Sequence, residues 1–166
     1  MAPALGIDWG STPGLVYGPT LAVGWTPPFG ARWEAFGSFF LNRRETTVAG
    51  DAAFGAKFSL AAFGMRGCYP VIDAAVSLAP CVGGGLDWLH ASGFGAATPK
   101  DGSAWGFNAH ALGIFLWNFN QFASIRLEAG AVIPFVRPEF VIEGVGTVYR
   151  RSPVAVRAAA GLELHF

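Results

Sequence analysis

From Val154 onward, apolar side chains return at every second position. Val154, Val156, Ala158, Ala160, Leu162, Leu164 and Phe166 share one face, and Ala155, Arg157, Ala159, Gly161, Glu163 and His165 share the other. A period of two marks a β-strand with two unlike faces. The run exceeds the usual strand of about five or six residues and suits a tilted crossing of a bilayer. A soluble amphipathic strand alternates in the same way, so the rest of the chain must decide what the apolar face meets.

Composition supplies that decision. Asp, Glu, Lys and Arg make up only 13% of the chain, against about 25% in a soluble domain. Hydrophobic residues reach 52% and aromatic residues 14%, a surface hard to keep dissolved unless its apolar part faces lipid. With 11 basic and 11 acidic residues the net charge is zero, which argues against a nucleic-acid partner, since that calls for a basic face. The length fits one domain, 1–166.

Two stretches without charge, Trp9 to Ala31 and Gly102 to Ile125, are long enough for membrane helices. The first is broken by Pro13, Pro19, Pro27 and Pro28, and an interior proline costs a helix roughly 3 kcal/mol. The second carries Asn108, His110, Asn118, Asn120 and Gln121, polar groups that a lipid-facing helix avoids. Lipid admits only helices and closed barrels, so a barrel remains.

The alternation recurs upstream. Ile125, Leu127, Ala129, Ala131, Ile133 and Phe135 oppose Arg126 and Glu128, and Trp105, Phe107, Ala109, Ala111, Phe115 and Trp117 oppose Asn108 and His110. Val82, Leu86 and Trp88 oppose Asp87, and Phe54, Ala56, Phe58, Leu60 and Ala62 oppose Lys57 and Ser59. Trp33, Ala35, Phe39 and Leu41 oppose Arg32, Glu34 and Ser38, while Leu15, Tyr17, Leu21, Val23 and Trp25 oppose Gly18, Thr20 and Gly24. That makes seven strands, and single-chain bacterial barrels have even counts. Leu5, Ile7 and Trp9, alternating with Ala4, Gly6 and Asp8, supply an eighth that reads as the upper half of a first strand. The expected architecture is therefore all-β: an antiparallel up-and-down transmembrane barrel of about eight strands, with the first strand truncated.

Connection lengths give the orientation, because such barrels have short periplasmic turns and longer outer loops. The outer loops are expected at Asn42 to Asp51, Ala91 to Gly102 and Arg137 to Ser152, and the turns at Thr26 to Gly30, Gly67 to Ser77 and Asn118 to Gln121. Met1 to Trp9 has no Lys or Arg, no long apolar core and no cleavage site, so it does not read as a signal peptide.

The terminal Phe166, preceded by Leu164, Leu162, Ala160 and Ala158, resembles the C-terminal assembly signal of Gram-negative outer-membrane β-barrels. The overall look is that of the small eight-stranded members. The resemblance implies residence in the outer membrane, with its lipid and the barrel-insertion machinery as partners and Leu162, Leu164 and Phe166 as the signal that machinery reads.

Inside such a barrel Asp8, Arg32, Glu34, Lys57, Asp87, His110, Arg126, Glu128, Arg157 and Glu163 would form a polar network. Either it lines a path for ions or a ligand, or it is a salt-bridged plug. Near-balanced signs and a lumen just wide enough for side chains favour the plug. Trp25, Trp33, Trp88, Trp105 and Trp117 fall near strand ends, where interfacial girdles are expected. Cys68 and Cys81 bracket one turn and are expected to form a disulfide, with two free thiols as the alternative. No metal or cofactor is implied, because the cysteines lack nearby His or further Cys ligands. His90, His110 and His165 come with no GxSxG, HExxH or phosphate loop, so no enzyme is expected. The leading expectation is a non-enzymatic anchor that meets an unknown ligand through its outer loops. A narrow pore for small solutes and a soluble ligand-binding barrel are the alternatives.

Overall fold

The computed structural model describes residues 1–28, 30–49, 52–94, 101–142 and 146–165. Its strands are β1 (Ala2–Trp9), β2 (Leu15–Trp25), β3 (Arg32–Ala49), β4 (Ala52–Cys68), β5 (Ile72–Asp73), β6 (Val76–Phe94), β7 (Asp101–Asn118), β8 (Ala123–Pro134), β9 (Glu139–Ile142), β10 (Gly146–Arg150) and β11 (Ala155–Leu164). Eight of them pair antiparallel in the order β1, β2, β3, β4, β6, β7, β8, β11, and β11 returns to β1 through Ala4↔Gly161 to Trp9↔Val156. Closure leaves no free edge in the barrel wall, the condition for strands that sit in lipid. The short β5 folds back on Leu78 and Ser77. β9 and β10 form a separate hairpin between β8 and β11.

Met1 and the end of β11 lie at one end, where the Met1 ammonium donates to the Leu164 carbonyl at 2.8 Å. We call this the terminal end and the opposite one the loop end. At the loop end β1 turns into β2 on Gly10 and Gly14, whose positive φ angles of 103° and 81° lie where a side chain is strained. Further down, β2 and β3 approach so closely that a Cβ on Gly18 would stand 1.8 Å from the Phe39 carbonyl oxygen.

Alternation holds as read from the sequence on seven of the eight strands. Leu5, Ile7, Leu21, Val23, Phe39, Val82, Phe107, Leu127, Ile133, Val156 and Leu162 are all exposed on the outside. Trp25, Trp33 and Trp117 ring the terminal end, and Trp9, Tyr17 and Trp105 ring the loop end. Trp105 and Trp117 stand roughly 30 Å apart along the axis, for a strand rising about 3.4 Å per residue at a tilt of about 40°.

The fourth strand is the exception, because its two faces are exchanged relative to the sequence reading. Ala56, Phe58, Leu60 and Ala62 are buried inside, whereas Lys57 is exposed on the outer face. The cause is that the upper lumen is itself apolar: Val16, Phe40, Phe58, Leu60, Leu89 and Ala91 form one cluster there. Pairing of Phe40 with Leu60 and of Glu34 with Arg66 sets the register. It puts Arg66 inside, which places Lys57 outside nine residues earlier. The expected outer loops all contain strand among their described residues, β9 and β10 in the third. β3 continues to Ala49 beyond a register shift at Phe40/Arg43, and β6 continues to Phe94.

Candidate functional site

The inner face gathers its charge in two layers. Nearer the terminal end, β3 supplies Arg32 and Glu34, β4 supplies Arg66, β8 supplies Arg126 and Glu128, and β11 supplies Glu163. Glu34 is the hub. Its carboxylate accepts from Arg32 at 2.6 Å, from Arg66 at 2.7 Å and from both terminal nitrogens of Arg126 at 2.8 Å. Glu128 accepts from Arg66 at 2.7 Å and Arg126 at 2.9 Å, and Glu163 from Arg32 and Arg126, each at 2.7 Å. Three guanidiniums thus meet three carboxylates, and the layer is neutral. Neutrality is what burial demands, since an unpaired ion in a low dielectric is costly.

The second layer lies toward the loop end. Arg157 donates to Asp8 at 2.6 Å and to Asp87 at 3.1 Å, and Arg151 pairs with Asp87. Ser11 donates its backbone N–H and its hydroxyl to Asp8, at 3.1 and 2.9 Å. Two guanidiniums meet two carboxylates, so this layer is neutral as well. Its walls are aromatic: the Arg157 guanidinium lies over the Phe40 ring at 5.6 Å, and in the lower layer Arg66 lies over Phe36 at 5.2 Å.

Between the layers the Thr20 hydroxyl donates to Ser38 at 3.0 Å, and His110 Nδ1 stands 3.4 Å from the Asn108 side-chain oxygen. A cavity of about 30 Å³ remains there, bordered by Arg66, His110, Glu128 and Arg157. That is room for one or two waters. His110 Nε2 borders the same space, buried and without a protein partner.

Apolar side chains line both ends, and at the terminal end they border a cavity of about 120 Å³ with Arg32 and Ser77. At the terminal end the Cys68–Cys81 disulfide packs with Ala79, Ile114 and Leu116. At the loop end Tyr149 of β10 packs on the upper apolar cluster, its ring edge-on to Phe58 at 5.3 Å. The Tyr149 hydroxyl donates to the Gly10 carbonyl at 3.3 Å, and burial pushes this phenol up to about 12. Two residues on, Arg151 enters the lumen and also donates to the Ser11 hydroxyl at 3.2 Å.

Of the residues singled out in the sequence, Arg32, Glu34, Arg126, Glu128 and Glu163 meet in the lower layer, and Asp8, Asp87 and Arg157 in the upper. His110 lies between them outside the ion pairs. Lys57 belongs to neither and stands outside the barrel. Leu162 and Leu164 are exposed on the outer face, and Phe166 lies outside the described residues. Sequence reasoning missed Arg66, and it left Arg151 on the outer loop Arg137 to Ser152 where the structure turns it into the lumen. Continuing the alternation of β4 back from Cys68 would have found Arg66. Among the described residues no cluster of potential metal ligands occurs.

No protein-family model matches the chain, and no curated protein matches it. Solved structures do. A major outer membrane protein of Thermus thermophilus superposes with a TM-score of 0.70 at 10% identity, over 100% of both chains. Neisserial surface protein A gives 0.59 at 12% identity, over 99% of this chain and 94% of the other. Ail, the attachment invasion locus protein of Yersinia pestis, gives 0.53 at 16% identity, also over 99% and 94%. In fold the chain is an eight-stranded antiparallel β-barrel similar to those of small outer-membrane proteins.

Proposed function

We propose that the protein is an outer-membrane anchor: its wall sits in lipid, its lumen is shut by side chains, and its loop end meets the surroundings. The carrying observation is the lumen, where two self-neutral ion layers and two apolar clusters leave a cavity of about 30 Å³ between the layers and one of about 120 Å³ at the terminal end. An open path would need water around those charges, and most of the guanidiniums here spend their donors on carboxylates instead. The two tryptophan rings set the wall at bilayer height, with the terminal end in the periplasm and the β9–β10 hairpin outside. Two structural neighbours are a surface protein and an attachment protein by name, and Ail has been solved with the heparin analogue sucrose octasulfate. Contact with the environment through the loop end agrees with both. Leu162, Leu164 and Phe166 then serve as the segment read by the insertion machinery.

The test is recording across planar bilayers. The refolded protein should give no discrete conductance steps while migrating faster on gels unboiled than boiled. Steady ohmic steps from such heat-modifiable protein would replace the anchor with a pore.

A further inference from the structure

The loop end holds a cleft that the chain fills with its own side chains. The floor is the buried pair Asp8 and Asp87, and only one of the two guanidiniums that neutralise it, Arg157, comes from the wall. The other, Arg151, arrives on the connection that follows β10. The wall beside it is apolar, formed by Phe58 with Val16, Phe40, Leu60 and Leu89, and takes the Tyr149 ring. The rim is the Gly10 carbonyl, which accepts from both the Tyr149 hydroxyl and the Ser152 N–H at 3.3 Å.

Without Tyr149 and Arg151 the cleft would present two carboxylates against one guanidinium beneath an apolar wall. Such a site is built for a cation carried next to an aromatic ring. In the native chain that cation is Arg151, one terminal nitrogen of which meets both the Asp87 carboxylate and the Ser11 hydroxyl while its buried Nε has no hydrogen-bond partner.

We propose that the loop-end cleft is a binding site for an extended peptide segment bearing an aromatic residue two positions before an arginine, and that Tyr149 and Arg151 occupy it as an internal stand-in. The partner is thus a protein surface offering an aromatic-x-Arg segment, and binding proceeds by exchange with the chain's own pair. This rests on the reading of the loop end as the contacting surface.

The probe is the acetylated, amidated peptide Val-Tyr-Arg-Arg-Ser, the sequence of residues 148–152, carrying a fluorophore. It is titrated against refolded protein in micelles. The Tyr149→Ala/Arg151→Ala variant should bind it at least tenfold more tightly than the native protein. At a hundredfold excess over Kd it should regain roughly 5 to 10 °C of lost thermal stability. A peptide with alanine in place of its second arginine, the counterpart of Arg151, should neither bind nor rescue. Equal affinity of the variant and the native protein, or of the two peptides, would overturn the proposal, as would absence of binding. Should the double variant fail to refold, Tyr149→Ala keeps the ion layer and empties only the aromatic seat against Phe58. It should bind the peptide more tightly than the native protein, and an unchanged affinity would again overturn it. Bilayer recording on the same samples separates the two readings: a closed barrel that ignores the peptide refutes only the cleft, whereas a conducting native barrel refutes the anchor.

Discussion

Glu34→Gln is the sharpest test of the ionic plug. Glu34 is 1% exposed and receives hydrogen bonds from Arg32, Arg66 and Arg126. The substitution keeps the shape and removes the charge, leaving three guanidiniums against the two carboxylates of Glu128 and Glu163. It also replaces one carboxylate oxygen by an amide NH2. Both oxygens of Glu34 face guanidinium nitrogens, so either orientation of the amide sets donor against donor. Breaking a buried pair typically costs about 3 to 5 kcal/mol, and the upper part of that range is expected. Urea unfolding in detergent, followed by tryptophan fluorescence, should show a lowered midpoint at unchanged slope. Adding Arg66→Met restores neutrality, with two guanidiniums against two carboxylates, and should recover more than half of the loss. A Glu34→Gln cost near that of the exposed Arg137→Gln would refute the plug and indicate hydrated lumen charges. So would a double variant no better than the sum of its parts.

Other outcomes follow from the same layers. Glu128→Lys should destabilise strongly and be rescued in part by Arg66→Glu, whereas Arg157→Glu should not rescue it, because Arg157 pairs with Asp8 and Asp87; the same urea assay reads both. On the outer wall Val82→Arg, paired with Ala111 midway between Trp105 and Trp117, should cost about 2 to 4 kcal/mol, and Leu162→Arg, two residues from the end of β11, about 1 kcal/mol or less. Equal costs would mean that the bilayer midplane is misplaced. Thiol labelling of denatured, unreduced protein should find neither Cys68 nor Cys81 free, and replacing both with alanine should cost about 3 kcal/mol for a loop of this size. The Tyr149 phenol titrates at about 12 in the folded protein against an ordinary value of 10.0, so the stability it reports is intact below pH 10 and falls between pH 10 and 12. Tyr149→Phe should remove that alkaline component from the thermal profile.

The barrel was legible because lipid makes the outer face uniform. On seven strands the apolar row faces out and the charged row faces in, and period two reads both at once. β4 defeats the same reasoning because its inner face turns apolar toward the loop end, where Ala56, Phe58 and Leu60 fill the lumen, while Phe63 and Met65 carry the outward apolar row nearer the terminal end. With so little polarity contrast, a single lysine is the marker the sequence offers there, and it points the wrong way. Lys57 lies at the level where β4 pairs with Ala91 and Ser92, beyond the Trp88–Trp105 contact near the loop end. A cation there faces water and has no reason to turn inward.

The ion pairs were less legible than the faces, for a geometric reason. Alternation says which side of the wall a residue occupies, but pairing across a lumen depends on relative strand heights, which in a tilted barrel depend on the stagger. Arg126, Glu128, Arg157 and Glu163 sit on adjacent strands and look like one cluster in the sequence. The register Arg126↔Gly161 and Arg157↔Gly130 instead places Arg157 several residues higher, beside Asp8 across the β1–β11 seam. Charge balance is then met separately at each height: removing Arg66, which the sequence did not mark, or Arg151, which it left on an outer loop, would leave a layer with one excess negative charge. Local neutrality in each layer, more than the zero net charge of the chain, is therefore what allows the barrel to bury so many ions.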